Sequence, residues 1–227
     1  MERRYLPNEE CPVSIEKRAD DQPGKIVGRA AVFYDGTPAT EYELYPEIVD
    51  GDGRVLSPAL IERINPRAFT KPLNDRQDVR ALFNHDPNMV LGRTSARTLY
   101  LSKSLRGLDY EVTPGKTTVA ADVQEHISRG DVTGSSFGFD VREQKFYYDE
   151  ERNADIREIL SVDLYDVGPV TFPAYSETTA DTRSESHFAE CRSAYDSWKA
   201  SVAEQRDAAK AKEKRLAELK ARKEAVS

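Results

Sequence analysis

The chain changes character once along its length, and this change limits how it can fold. Residues 25–171 consist of short segments in which apolar and polar residues alternate, as in strands, whereas residues 187–227 are polar and resemble one long helix. Residues 176–186 (SETTADTRSES) contain no apolar residue larger than alanine and are typical of a linker. We therefore predict an N-terminal arm over residues 1–24, a folded domain over 25–175, a linker over 176–186 and a charged helical tail over 187–227.

Within the folded domain, the pattern favours strands over helices. Two helices are predicted: SPALIERINP, where Ser57 can cap the helix and Pro58 takes its first position, and TTVAADVQEHISRG, which ends at Gly130. The predicted strands are KIVGRAAVFYDG, DVRALFNHD, the hairpin TLYLSKSLRGLDYEVTP, SFGFDVREQKFYY and IREILSVDLYDVGPVTF. The fold class expected is mainly β with packed helices (α+β), as a small barrel or folded sheet.

Composition excludes several classes of protein. A chain of 227 residues can bury about 70% of the surface that it exposes when unfolded, so no disulfide or metal is needed to stabilise it. The two cysteines, Cys11 and Cys191, form no ligand motif, which predicts no metal, no cofactor and a reducing cytoplasm. A net charge of −7 argues against general nucleic-acid binding, and no apolar run approaches the roughly 20 residues of a membrane span.

Three histidines are available as a general base for serine chemistry. His85 ends the alternating series Val79, Ala81, Phe83 and precedes the turn HDPN, which would leave it half-buried and within reach of a substrate. The alternative is a structural edge histidine, or a turn stabilised by its neighbour Asp86. The other two histidines are poorer candidates: His126 suits a solvated helix surface, and His187 lies beyond the linker.

A carboxylate and two serines are further candidates. Asp166 follows Leu160, Val162 and Leu164 on one predicted strand face, and a buried carboxylate requires a partner; alternatively, the strand has already ended before Gly168 and Pro169. In GSSFGF, Ser135 shares a face with Phe137 and Phe139, whereas Ser136 shares the opposite face with Gly138. Ser136 is therefore the serine expected to be accessible, on a face that glycines keep open to a substrate backbone. The alternative is an ordinary start of a strand, since the GxSxG spacing of a nucleophile elbow is absent.

Seven segments follow one another in an order that resembles a known family. They are GRAAVF, ERINPRAF, ALFNHD, LGRTSARTLYL, RGLDYEV, GDVTGSSFGF and LYDVGPVTFPAY. This order resembles the prohead maturation proteases of tailed phages, which are similar to assemblin, the herpesvirus capsid protease. The resemblance covers residues 25–175 and implies a small assemblin-like β-barrel surrounded by helices. It also implies a serine endopeptidase inside the immature capsid (prohead), in the host cytoplasm, that cleaves the major capsid protein, the scaffold protein and itself.

The resemblance also assigns roles to residues. The histidine of the NHD motif falls on His85, the serine of G-x-S-F-G-F on Ser136, and the acidic third member on Asp166, where the family has glutamate. Ser135 stands where a methionine is usual, and Arg67 where a glycine is usual. Because assemblin uses a second histidine as third member, His126 is kept as an alternative to Asp166. Arg93, in LGRT, is a candidate contributor to the oxyanion hole.

The tail suggests a second class of function. Phe188, Tyr195, Val202, Ala209 and Leu216 recur every seven residues, a degraded heptad that suits a transient coiled coil with scaffold or capsid protein. The alternative for this segment is a solvated charged helix. The rival function is therefore a catalytically inactive scaffold or assembly protein on the same fold, and a third is a cellular binding module of unrelated β fold. Self-association into a homo-oligomer stays open.

Overall fold

The computed structural model describes residues 1–5, 9–17, 24–172 and 185–224, so most of the predicted linker lies outside the described residues. The chain divides into two compact units, Met1–Thr179 and Ala180–Ser227. The second unit contains helix α3 (Glu185–Glu224), which confirms the helix expected in the tail; the heptad pairing stays a prediction. Among the described residues, no helix has both the length and the apolar character required to cross a bilayer.

The first unit is built mainly from strands. They are β1 (Glu2–Tyr5), β2 (Val13–Glu16), β3 (Lys25–Val32), β4 (Tyr42–Tyr45), β5 (Ile48–Val49), β6 (Val55–Ser57), β7 (Leu60–Ile64), β8 (Arg80–Leu82), β9 (Val90–Arg93), β10 (Leu99–Lys103), β11 (Gly107–Val112), β12 (Gly134–Asp149) and β13 (Ala154–Val170). Two α-helices, α1 (Thr70–Asn74) and α2 (Thr118–Arg129), pack against them, and a short 3₁₀ turn spans Pro38–Thr40. The segment predicted as an N-terminal arm thus contributes two strands, β1 and β2.

The largest sheet is organised around β12 and β13. These long strands form an antiparallel hairpin, and the sheet continues in the order β1-β12-β13-β7-β4, with β8 paired to β13 and β9 paired to β8. A second sheet has the order β10-β11-β3-β2, and β5 pairs with β6. The two larger sheets meet where Pro12 bridges Gly134. The mainly β, α+β class is confirmed, whereas the pairings among the described residues leave edge strands and do not close an assemblin-like barrel.

The helix predicted for SPALIERINP is wrong, because this segment ends β6 and forms β7. β7 pairs with β13 on one side and β4 on the other, and all five of its residues are buried. A strand buried on both faces loses the alternating pattern, so its sequence resembles a buried helix. Pairing with distant strands therefore overrides the local capping signal at Ser57 and Pro58.

Other predicted elements are confirmed. The hairpin is present as antiparallel β10 and β11. Helix α2 begins where the Thr117 side chain accepts a hydrogen bond from the N–H of Ala120, and ends at Gly130, which has φ of 82°. The main core lies between the two larger sheets and includes Phe137 and Phe139, whose ring centroids are 4.8 Å apart.

Candidate active site

Strand β12 carries the two serines on opposite faces. Phe137 and Phe139 face the core, whereas Ser136 and Gly138 face the other side. Ser135, on the core side, lies 2.8 Å from the Tyr110 hydroxyl of the second sheet, and its own hydroxyl donates to the carbonyl of Pro12 at 3.3 Å. Burial raises the pKa of Tyr110 well above its ordinary value, which keeps this phenol neutral. Ser135 thus joins the two sheets.

Asp166 reaches the same face as Ser136 through an irregularity in β13. Gly138 pairs with Asp166 but Phe139 pairs with Leu164, so Tyr165 is an extra residue in the ladder. Such a bulge reverses the alternation, and Asp166 faces away from the core side of Leu164. The predicted common face of Leu164 and Asp166 is therefore wrong, whereas the expectation that Asp166 is buried and has a partner is confirmed.

His85 is supplied by the turn that follows β8. β8 runs parallel to β13, with its first residue, Arg80, opposite Asp166 and Ala81 opposite Val167, so the turn after β8 starts beside the end of β13. The strand ends at Leu82, and His85 has φ of 56°, so the predicted strand face ending in His85 is wrong. A left-handed backbone is uncommon for histidine and re-aims the side chain.

Asn84 fastens this turn to the end of β13. Its N–H donates to the carbonyl of Pro169 at 3.0 Å, and its side-chain NH₂ donates to Thr171 Oγ1 at 2.9 Å. The Thr171 N–H donates in return to Asn84 Oδ1 at 2.8 Å. Asn84 also has a positive φ, 52°, which asparagine tolerates better than most residues. The turn is thereby fixed relative to the strand that carries Asp166.

These elements place the three side chains in one hydrogen-bonded row. Nε2 of His85 lies 2.6 Å from Oγ of Ser136, and Nδ1 of His85 makes a short hydrogen bond with Oδ1 of Asp166. All three side chains are buried. If Nδ1–H donates to Asp166, Nε2 is left to accept the hydroxyl proton of Ser136. This is the geometry that a serine nucleophile and its general base require.

Two glycines permit the close approach of these strands. A Cβ on Gly138 would lie 2.4 Å from Oδ2 of Asp166, and a Cβ on Gly168 would lie 2.0 Å from the carbonyl oxygen of Leu82. Gly168 also has φ of 157°, which L-residues rarely adopt. Gly138 therefore leaves room for the carboxylate, and Gly168 lets the end of β8 approach β13.

The expectation that Ser136 is accessible is wrong: its exposed fraction is 0%. β1 pairs antiparallel with the edge of β12, with Tyr5 opposite Ser136, and Oγ of Ser136 lies 3.0 Å from the carbonyl oxygen of Arg4. Strand β1 was missed because residues 2–5 (ERRY) show no apolar alternation. The pairing is visible only once the chain is folded.

A buried charged cluster, also missed from the sequence, holds β1 in place. Its members are Glu2 and Arg4 of β1, Glu62 of β7 and Arg157 of β13. Burial alone would raise the pKa of Glu2, but hydrogen bonds and charges from Arg157 and Arg4 lower it to about 2. Sequence spacing gives no sign of this cluster, because its members come from three separate segments.

The remaining candidates lie elsewhere. His126 is on the exposed side of α2, with Nδ1 3.5 Å from Asp131, so the structure does not bring it to His85. Arg93 is exposed and pairs with Asp78. Asp86 accepts a hydrogen bond from the N–H of Asn88 within the turn, as expected for a turn residue. The side chain of His187 lies outside the described residues.

Within the described ranges, no group of three or more His, Cys, Asp or Glu side chains lies close enough to hold a metal ion. His85 contacts both Asp166 and Ser136, which is an arrangement for proton transfer. The chemistry that these residues can perform is nucleophilic.

Comparison with known proteins supports the same class. No curated protein and no solved structure matches the chain. A model of the caudovirus prohead serine protease family matches residues 41–191, which is about two thirds of the 227 residues and includes His85, Ser136 and Asp166. The chain therefore belongs to the caudovirus prohead serine proteases, a family of serine peptidases associated with phage capsid maturation.

Proposed function

We propose that this chain is an active serine endopeptidase in which Ser136 is the nucleophile, His85 the general base and Asp166 the residue that orients His85. The observation that carries the proposal is the hydrogen-bonded row from Asp166 through His85 to Ser136. Each member comes from a different element, so strand pairing and the turn after β8 are needed to assemble it. Family membership supports the same reaction class.

The geometry suggests the steps of the reaction. As Oγ of Ser136 bonds to the carbonyl carbon of a peptide, Nε2 of His85 takes the hydroxyl proton, and Asp166 stabilises the imidazolium that forms. His85 then gives this proton to the amine nitrogen as the peptide C–N bond breaks, which leaves an acyl-enzyme. A water molecule attacks the acyl carbon while His85 takes its proton; the second product leaves as a carboxylic acid, and Ser136 recovers its hydrogen.

The proposed substrates are the major capsid protein and the scaffold protein of the immature capsid. Family membership supports capsid-related substrates and a place inside the prohead within the host cell. Cleavage of the chain itself belongs to the same proposal, because the protein would be enclosed with its own copies at high local concentration. Helix α3 would contact scaffold or capsid protein through the heptad positions described above.

Two single substitutions test the nucleophile. We expect Ser136→Ala to lower the rate of capsid-protein cleavage by about 10⁴-fold or more, since the other members of a triad contribute little without the nucleophile. Ser135→Ala, its matched control, should retain substantial activity because Ser135 contacts Tyr110 and Pro12. The measurement is cleavage of the capsid and scaffold proteins of the same phage on co-expression. The assignment is wrong if the two variants behave the other way round.

Labelling of the purified protein with a fluorophosphonate, followed by mass spectrometry, identifies the reactive residue directly. Labelling of Ser136, lost in Ser136→Ala, supports an active enzyme, and conversion of the wild-type chain to shorter products would support self-cleavage. If Ser136 stays unlabelled and capsid protein stays intact, both in the wild-type chain and in the double variant Glu2→Gln, Arg4→Gln, the chain is the inactive scaffold or assembly protein.

A further inference from the structure

The edge of β12 beside the proposed nucleophile is occupied by part of the same chain. β1 adds to this edge as an antiparallel strand, with Arg4 opposite Phe137 and Tyr5 opposite Ser136. Extended peptides bind other proteins in this way, through main-chain hydrogen bonds to an exposed strand edge. Without β1, β12 would present such an edge next to Ser136.

The backbone of β1 occupies the place that a substrate backbone would need. Reacting atoms must come within about 3–3.5 Å before attack, and the carbonyl oxygen of Arg4 already lies 3.0 Å from Oγ of Ser136. The Ser136 hydroxyl has one hydrogen, so when it donates to Arg4 it cannot also donate to His85. A hydroxyl that donates to a carbonyl oxygen is not directed at the carbonyl carbon. β1 is therefore positioned as an unreactive occupant.

The body of the protein recognises the side chains of β1 by charge. Nη1 and Nη2 of Arg157 donate to the Glu2 carboxylate at 2.7 and 2.8 Å, and Nη2 of Arg4 donates to Oε2 of Glu62 at 2.8 Å. Arg157 and Glu62 also pair with each other at 2.9 Å. Together they offer one positive and one negative group, which bind the two charged side chains of β1. The guanidinium of Arg4 lies 5.3 Å from the ring centroid of Phe139.

We infer that the edge of β12, together with Glu62 and Arg157, is the peptide-binding site of this protein, and that β1 is its internal occupant. The site takes an extended segment with an acidic residue two positions before a basic residue, as in Glu2-Arg3-Arg4. Displacement of β1 opens the site to other chains. The role of the bound segment as a substrate rests on the proposed function; its recognition by Glu62 and Arg157 does not.

Two observations favour the interpretation that β1 is a displaceable occupant of the site and not a permanent strand of the sheet. Glu62 and Arg157 lie inside the range that matches the family, 41–191, and β1 lies outside it. Glu2 and Arg4 are bound through buried charged contacts, which discriminate strongly between partners because a buried charge without its partner is costly. The site thus has the features of selective recognition.

A fluorophosphonate can reach Ser136 only when β1 has left the edge of β12. The rate at which Ser136 is labelled therefore reports how often β1 dissociates. In the full chain, the double variant Glu2→Gln, Arg4→Gln keeps the strand but removes both charges that face Glu62 and Arg157. We expect Ser136 to be labelled about tenfold faster or more, because buried charged contacts change affinity by at least this factor. The control is Glu9→Gln, which removes a charge at an exposed position outside β1 and should label at the wild-type rate. Measurable labelling at equal rates in all three proteins would contradict the inference that β1 is a displaceable occupant of this site.

Peptide binding tests the recognition without any chemistry. The probes are acetyl-MERRYL-amide and acetyl-MRREYL-amide, which have the same composition with the acidic and basic positions exchanged. We expect the first to bind Ser136→Ala protein that also carries Glu2→Gln, Arg4→Gln about tenfold more tightly than the second, by fluorescence anisotropy. Equal affinities would overturn the acidic-x-basic preference.

Amide hydrogen exchange of the unsubstituted chain tests the same inference, and it does not depend on whether the double variant folds. Adding acetyl-MERRYL-amide should speed amide exchange in residues 2–5, since the peptide competes with β1, whereas the exchanged peptide should have no effect. The absence of any difference would again contradict the inference. If the peptides are discriminated but Ser136 is never labelled in any variant, the proposed peptidase activity fails while the binding site stands.

Discussion

Ser135 and Ser136 are neighbours in the chain, but alternation along β12 gives them unrelated partners. Ser135 joins the sheets through Tyr110 and Pro12, and Ser136 meets His85. The space near Ser136 also limits which side chains fit at the neighbouring positions. Gly138 is the clearest case, because its missing side chain is the space that Asp166 occupies.

We predict that Gly138→Ala lowers catalytic efficiency while the protein still folds. The new methyl group would lie 2.4 Å from Oδ2 of Asp166, so the carboxylate must move away from His85. A displacement of about 1 Å can reduce a rate by about 10²-fold, and we expect a loss of kcat/KM of this order. The measurement is steady-state cleavage of a peptide substrate.

Gly115→Ala is the matched control for this substitution. A Cβ at Gly115 meets only the Thr117 side chain, at 3.9 Å, which is an ordinary contact. Activity should therefore stay at the wild-type level in this variant. Equal activity of Gly138→Ala and Gly115→Ala would show that Asp166 does not need its present position.

Among the elements, the turn between β8 and β9 supplies His85 to the proposed site. It contains two successive residues with positive φ, Asn84 and His85, and the Asn84 side chain links it to Thr171. Its position relative to β13 therefore determines the distance from His85 to Asp166.

We predict that Asn84→Ala lowers kcat by about tenfold or more and destabilises the protein by about 1–2 kcal/mol. Alanine removes both side-chain hydrogen bonds to Thr171 and tolerates the left-handed backbone less well. The control is Asn88→Ala in the same turn, where the side chain binds Asp86 and is exposed. Urea unfolding and steady-state kinetics measure the two effects. If the kcat of Asn84→Ala matches that of Asn88→Ala, Asn84 does not position His85.

For the first unit as a whole, the charged cluster ties the N-terminal strand to two central strands, and this link depends on pH. The pKa of Glu2 is about 2, below its ordinary value of 4.5, so the folded protein stabilises the ionised carboxylate relative to the neutral acid. The resulting stability is fully present above pH 4.5 and is lost as the pH falls towards 2. This lowering of the pKa of Glu2 corresponds to a contribution of about 3 kcal/mol to the free energy of unfolding.

We predict that Glu2→Gln destabilises the protein at pH 7, and that its difference from wild type shrinks as the pH falls from about 5 towards 2. The measurement is the free energy of unfolding in urea at several pH values. Glu9→Gln, at an exposed position, is the control and should follow the wild-type curve. A difference between Glu2→Gln and wild type that does not change with pH would contradict the role of the Glu2 charge.

Several features follow from local sequence because local forces determine them. Helix α2 has its cap, its apolar stripe and its terminal glycine within 14 residues, so its sequence predicts it well. The hairpin of β10 and β11 is likewise local. The motifs around His85, Ser136 and Asp166 are recognisable because each is a short segment, and their order along the chain is enough to indicate the family.

Tertiary structure alone decided how these segments combine. β7 became a strand because β13 and β4 cover both its sides, and the bulge at Tyr165 turned Asp166 towards Ser136. Ser136 is covered because β1, more than 130 residues away in sequence, pairs with β12. Pairing between distant segments depends on where the whole chain brings their backbones together. No pattern within a segment records it, whereas helix caps, turns and short motifs are set by neighbouring residues and can be read from the sequence.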